Sequence, residues 1–213
     1  MQTSATRLAK PLQLLAALGL LALNTACMPT MYVDNGLKDV AAAEMVKVTN
    51  PKPVQLLFEF RTKGTINGRA TDMLRAQAQE LVSGSGLFSQ VGTAGAGGAD
   101  GALLSIVVDN VPITSESDAA AKGFATGLTF GLVGSAVTDG YICTATFVPG
   151  AAATPIKKEV RHALHATFGA KGAPPNSTKA KNMDEAVRTM LRQIVNNALQ
   201  AIGSDPQFAG TGT

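Results

Sequence analysis

Two histidines, His162 and His165, stand in one short stretch, Arg161-His162-Ala163-Leu164-His165, and are the residues best suited to hold a metal ion or act as a general base. Their spacing decides against a shared role. Val160, His162, Leu164, Ala166 and Phe168 alternate as on one face of a strand, and strand residues three apart project from opposite faces. A common ion would need both rings on one side, with cysteine or clustered carboxylate ligands beside them, and the stretch offers neither. The reading is therefore no metal site and no catalytic pair built from both rings. The glycine-rich stretches 84–86 and 92–101 lack Gly-Lys-Ser/Thr and do not lead from a strand into a helix, so they read as turns and not as phosphate or cofactor cradles. No Gly-x-Ser-x-Gly elbow occurs. An enzyme would have to assemble its site from loop polar groups such as Asp109, Asn110 and Asp139. No catalytic residue and no cofactor is expected.

The two cysteines, Cys27 and Cys143, carry a more specific message. Arg7 and Lys10 precede an apolar run from Leu12 to Leu23, which is shorter than the roughly 20 residues a membrane-spanning helix needs. Small residues, Thr25 and Ala26, follow it. A positive start, a short apolar core and a small-residue cut site describe an export signal. Leu23-Asn24-Thr25-Ala26-Cys27 resembles the lipobox of bacterial lipoproteins, in which cleavage falls just before a cysteine that takes the lipid. Asn24 occupies a place where that motif usually has an aliphatic residue, with Leu23 one position early. The resemblance implies a signal peptide over 1–26, a Cys27 bearing acyl chains such as palmitate, and the lipoprotein maturation and sorting machinery as partners. Met28 after the cysteine, in place of an aspartate, fits onward sorting to the periplasmic face of the outer membrane, with the inner membrane as the alternative. An ordinary secretory signal cut after Ala26 is the competing reading.

Acylation of Cys27 would leave Cys143 without a partner in an oxidising compartment, which predicts a buried, inert thiol. It also removes an apparent basic bias. The 18 basic residues lose Arg7 and Lys10 with the signal, leaving 16 against 15 acidic ones. No electrostatic case for nucleic acid survives.

The mature chain has the length of one domain. Residues 27–52 read as a tether ending in Asn50-Pro51-Lys52-Pro53, and 53–204 as the folded unit. Val54 to Phe60 alternates as a strand, and Asn67 to Val82 has helical periodicity with Thr71 able to cap it. Leu87 to Val91 reads as a short strand. Ala102 to Val111, stopped by Pro112, then Tyr141 to Val148 and Ile156 to Phe168 read as longer ones. Asn182, with Glu185 three residues on, starts a helix lined by Ala186, Val187, Met190, Leu191, Ile194, Val195, Ala198 and Ile202 and stopped by Gly203. Residues 205–213 read as a disordered tail. This order implies an α+β domain of two layers, with two helices packed on one face of a mainly antiparallel sheet of four to five strands.

Residues 119–137 hold a single charge, Lys122, and Gly123, Gly127 and Gly131 recur at every fourth place. On a helix these would form a smooth small-residue face of the kind that packs closely in membranes, with Phe124, Leu128 and Phe130 projecting elsewhere. The segment reads as an apolar loop or hairpin folded onto the domain, as an exposed element touching bilayer or partner, or as a membrane-crossing helix. Gly123, Phe124, Gly127, Leu128, Phe130 and Gly131 are its candidate contact residues. Pro53-Val-Gln-Leu-Leu-Phe-Glu-Phe60, Ser85-Gly-Leu-Phe-Ser-Gln-Val91, Gly123-Phe-Ala-Thr-Gly-Leu-Thr-Phe-Gly-Leu132 and Asn182-Met-Asp-Glu-Ala-Val-Arg-Thr-Met190 resemble a family of uncharacterised lipoproteins of Gram-negative bacteria. The resemblance spans roughly residues 50–205 and brings no catalytic residues. A looser likeness to α+β periplasmic domains of transport-auxiliary and envelope-assembly lipoproteins is one of fold alone. The expectation is a membrane-anchored, non-catalytic envelope module that binds a protein or a lipid, with an unrecognised enzyme or a structural spacer as the other readings.

Overall fold

A computed structural model of the chain describes residues 29–93, 101–113, 136–150, 153–168 and 172–209. They form an α+β domain around one mixed sheet. In chain order the elements are β1 (Thr30–Asp34), β2 (Val54–Thr62), β3 (Thr65–Ile66), α1 (Gly68–Gly84), β4 (Val91–Thr93), β5 (Ala102–Ile113), β6 (Ala136–Val148), β7 (Ile156–Thr167), β8 (Ser177–Lys179), α2 (Met183–Gly203) and the single turn α3 (Pro206–Ala209). The sheet order is β3-β2-β5-β6-β7-β1-β8, with β4 pairing β2 on the same side as β3. Its outermost strands are two or three residues long, which limits the unpaired edge open to other chains.

The alternation in the sequence becomes two unlike faces. Leu56, Phe58 and Phe60 of β2, Leu104, Ile106 and Val108 of β5, and Tyr141, Cys143, Ala145 and Phe147 of β6 are buried. The register aligns them across strands, Leu104 with Phe147 and Val108 with Cys143. Against this face lie the buried sides of α1 (Thr71, Leu74, Ala78, Val82) and α2 (Ala186, Met190, Leu191, Ile194, Val195, Ala198, Leu199, Ile202). The other face is half-open over β2, β5 and β6, where Glu59, Val107 and Thr144 are only half-buried and Leu57 is exposed. Beside Glu59 its strand neighbour Arg61 forms an ion pair with it.

Several expectations need correction. Among the described residues the sheet has eight strands, not four to five; it is mainly antiparallel as expected, but β2 pairs in parallel with both β5 and β4. The extra strands are β1, β3 and β8, and the two or three residues of β3 and β8 leave no periodicity to read. Residues 27–52 are not simply a tether. Thr30–Asp34 is a strand held between β7 and β8, with Met31, Tyr32 and Val33 buried, and the chain after it is tied to α2 by Asn196 and Asn197 amides on the Val40 and Lys38 carbonyls. Nor is 205–213 wholly a free tail: Phe208 of α3 is buried against Phe88 and Phe147. Pro112 does not stop β5, which runs on to Ile113. The strand expected over Leu87–Val91 begins only at Val91, since Leu87 and Phe88 are core residues of a loop.

The helix caps divide in the same way. Asn67, not Thr71, caps α1 by accepting from the Ala70 amide at 3.1 Å, while the Thr71 hydroxyl accepts from the Phe60 amide and fastens helix to strand. Asn182 caps α2 as expected, accepting from the Glu185 amide at 2.8 Å, and Glu185 accepts in turn from the Lys181 amide.

A tether residue tolerates truncation, whereas a core strand residue does not. Met31→Ala is expected to lower stability by about 2–5 kcal/mol in urea unfolding; a change near zero would return residues 30–34 to the role of linker.

Candidate functional site

The strand register sorts the molecule into two ends. Thr30 of β1 pairs with Thr167, the last residue of β7, and Thr167 pairs with Ala136, the first residue of β6. Ile113, the last residue of β5, pairs with Thr138. The start of β1 and both flanks of the 114–135 connection therefore share one end of the sheet. Three large apolar side chains stand exposed there: Val137 at 49%, Phe168 just past β7 at 46%, and Met183 at the start of α2 at 50%. Met183 belongs to this end because the Ala180 amide, shortly before it, donates to the Met31 carbonyl. Cys27 and the candidate contact residues Gly123, Phe124, Gly127, Leu128, Phe130 and Gly131 lie outside the described residues.

At the other end a cleft of about 350 Å³ opens between the chain at 46–53 and the ends of the core elements. Leu87, Phe88, Phe147, Phe208 and Gly203 line its apolar side. The three phenyl rings form a cluster with centroids 5.1–5.9 Å apart, the tilted and edge-on geometry aromatic rings prefer. Gly203 sits at a close approach, where an added Cβ would meet the Leu87 side chain at 2.8 Å and oblige it to shift. Lys47 and Lys52 also line the cleft, and both are exposed. The sequence reading missed this site, because its walls come from five separate stretches of chain.

The two histidines point to opposite faces of β7. On the helix side, the His162 Nδ1 accepts from the Ala163 amide at 2.8 Å, so its Nε2 carries the hydrogen and donates to Gln193 Oε1 at 2.6 Å. Burial pushes this imidazole below the ordinary histidine value; the Gln193 bond and the Asp34 charge oppose that, and His165 adds to it. On the other side, His165 Nδ1 lies 3.0 Å from the Thr138 hydroxyl and its Nε2 3.3 Å from Asp34 Oδ2. Hydroxyl, imidazole and carboxylate in that order are the residue types of a nucleophile–base–acid relay. All three are closed off, however, with exposures of 3%, 1% and 0%, so a substrate has no approach to the Thr138 oxygen. The arrangement clamps β1 to β7 and β6.

Asp109, Asn110 and Asp139 lie on strands, not loops, and do not converge. Asn110 and Asp139 share the helix-side face and a hydrogen bond, and burial raises the Asp139 carboxyl above its usual range. Asp109 faces the other way and accepts from the Gly64 amide at 3.1 Å, closing the β2–β3 turn. Among the described residues no cluster of three or more metal-ligating side chains occurs, and no helix is long and apolar enough to cross a membrane. Cys143 is fully buried, and burial pushes its thiol up to about 12.

No protein-family model matches the chain, and no curated protein does. Among solved structures it is similar to a PelC dodecamer from Paraburkholderia phytofirmans, at 13% identity over 82% of this chain and 96% of that one, with a TM-score of 0.32. It is also similar to a homolog of a neuraminyllactose-binding hemagglutinin from Helicobacter pylori, at 16% identity over 78% and 92%, with a TM-score of 0.36.

Two measurements check these environments. The folded state holds His162 neutral, so as pH falls below about 6.5 the unfolded chain takes up the proton first and stability declines, levelling off only below the depressed folded value. His162→Gln is expected to flatten that part of the stability–pH curve between about pH 7 and 5; an unchanged slope would contradict the neutral assignment. Iodoacetamide at pH 8 should alkylate Cys143 only as fast as the domain unfolds, with denaturant raising the rate in step with the unfolded fraction.

Proposed function

We propose that this protein is a lipoprotein of the bacterial envelope, anchored through an acylated Cys27, whose domain is a non-catalytic binding module seated directly on the membrane surface. The observation that carries the reading is the position of β1. Only Met28 and Pro29 separate Cys27 from Thr30, and three residues of extended chain reach about 10 Å. A lipid on Cys27 would hold the Thr30 end of the sheet at the level of the head groups. The exposed Val137, Phe168 and Met183 at that end suit such a boundary. The apolar 119–137 segment would then begin and end beside the bilayer, where Phe124, Leu128 and Phe130 could enter it or meet a membrane-bound partner. Three acyl chains on one cysteine give stable anchoring, whereas a single chain does not. The periplasmic face of the outer membrane is the proposed location.

The non-catalytic reading rests on the relay at Thr138, His165 and Asp34 being sealed from solvent and on Asp109 facing away from Asn110 and Asp139. What the module binds at the membrane end would be lipid or an envelope protein.

Expression of the full chain in a Gram-negative host with an alkyne-bearing palmitate analogue tests the anchor. Label on the wild-type protein and none on Cys27→Ser is the expected result; equal labelling of the two removes the proposal. The contact role is tested on Cys27→Ser with vesicle flotation. Deleting 119–135 should cut its residual association several-fold, and unchanged flotation would exclude that segment as a membrane contact.

A further inference from the structure

The cleft at the end remote from β1 has a polarity that its own fold does not use. Its inner side is hydrocarbon and aromatic: Leu87, Phe88, Phe147 and Phe208. Its charged lining residues are Lys47 and Lys52, both exposed, and among the described residues no acidic side chain lines it. Neither ammonium has a carboxylate partner among the described residues. The nearest acidic group in sequence to the cleft-lining Phe208 is Asp205, and its carboxylate is already committed to Lys158 Nζ at 2.6 Å. Among the described residues the site therefore joins apolar side chains to two ammonium groups outside any ion pair, in a volume within the range of small-molecule pockets.

We propose that this cleft binds an amphiphile composed of a single hydrocarbon chain and an anionic head group, the chain lying against the phenyl cluster and the head between Lys47 and Lys52. The parts of Phe88, Phe147 and Phe208 left open to the cleft supply the apolar contact, and the two ammonium groups select the sign of the head. Carboxylate and phosphate heads share this chemistry. The inference does not depend on acylation of Cys27, and its test reads a different part of the molecule.

The probe is a dodecanoic acid carrying a photoreactive diazirine on its chain, added to the full chain in nanodiscs made only of zwitterionic phospholipid, with the cross-linked peptides mapped by mass spectrometry. Saturable labelling in the peptides holding Val46–Pro53, Leu87–Phe88, Phe147 or Phe208 is expected, displaced by dodecanoate or dodecyl phosphate and not by dodecylamine. The more effective of the two anionic competitors identifies the head group as free fatty acid or phosphate ester. The double variant Lys47→Met, Lys52→Met keeps the apolar stems and removes both charges at exposed positions, so it should fold as the wild type, which its melting temperature checks. Labelling of the cleft should fall about tenfold in this variant. No saturable labelling in the cleft peptides, equal displacement by dodecylamine, or no change in the double variant would each overturn the proposal, whereas labelling of the Thr30 end reports only its contact with the nanodisc.

Discussion

Strands β2 and β5 run parallel over nine register pairs, from Val54 with Ala102 to Thr62 with Asn110. A parallel pair cannot be closed by a hairpin, so the chain must leave the far end of β2, return along one face and re-enter beside its start. Here the return is α1, which makes that face the interior. Leu56, Phe58 and Phe60, then Leu104, Ile106 and Val108, must face it, and the strand period of two sends Leu57, Glu59, Ser105 and Val107 outward. Once α1 covers one half of the face, the half over β6, β7 and β1 needs cover of the same thickness. The buried stripe of α2 supplies it, and the Gln77 amide of α1 on the Arg188 carbonyl of α2 joins the two helices. The antiparallel pairs follow with less constraint, because each can close locally.

Within that frame β1 is the element with least of its own to hold it. Five residues form few ladder bonds, and a short strand depends on what its side chains meet. Met31 and Val33 point to the helix layer, while Asp34 on the other face reaches His165, which reaches Thr138 on β6. Asp34 also accepts from the Gly36 amide at 2.6 Å, turning the chain out of the sheet. A carboxylate and an imidazole placed out of water cost more than they return unless each polar atom has a partner. Both ring nitrogens and both carboxylate oxygens do. The same three residue types that would make a catalytic relay in an open cleft are here a fastening between strands, and their burial is what separates the two roles.

Much of the fold was legible in the sequence because its large elements are strongly periodic. The strands at Val54, Ala102, Tyr141 and Ile156 and both long helices stand close to where the patterns of two and 3.6 place them, and the opposite orientation of His162 and His165 follows from their spacing alone. The rest was illegible for definable reasons. β3, β4 and β8 are too short to show a period. β1 looks like linker because Thr30-Met-Tyr-Val-Asp34 is brief and lies among residues of mixed type, and its strand character comes from partners 131 or more positions away. Asp109, Asn110 and Asp139 looked like loop groups because polar side chains at strand ends carry no signature of the ladder. The cleft could not be foreseen at all: Lys47, Leu87, Phe147 and Phe208 are brought together only by the closure of the sheet.

The placement of the cleft bears on how a membrane-seated domain would use it. Strand β6 runs from Ala136 at the Thr30 end to Val148 beside the cleft, a length of about 40 Å at the usual rise per residue. With Cys27 in the bilayer and only two residues between it and β1, the cleft would stand that far from the head groups, roughly the thickness of a hydrocarbon core and more. An acyl chain lodged against Phe88, Phe147 and Phe208 would then have left its membrane entirely. Lys47 and Lys52 would be useful at such a distance, since the anionic head of a single-chain amphiphile is also what lets it cross water as a monomer. The two proposed contacts with apolar matter would thus lie at opposite ends of the same sheet, and the charge beside the distal one would distinguish an amphiphile arriving through the compartment from the lipid that would hold the domain in place.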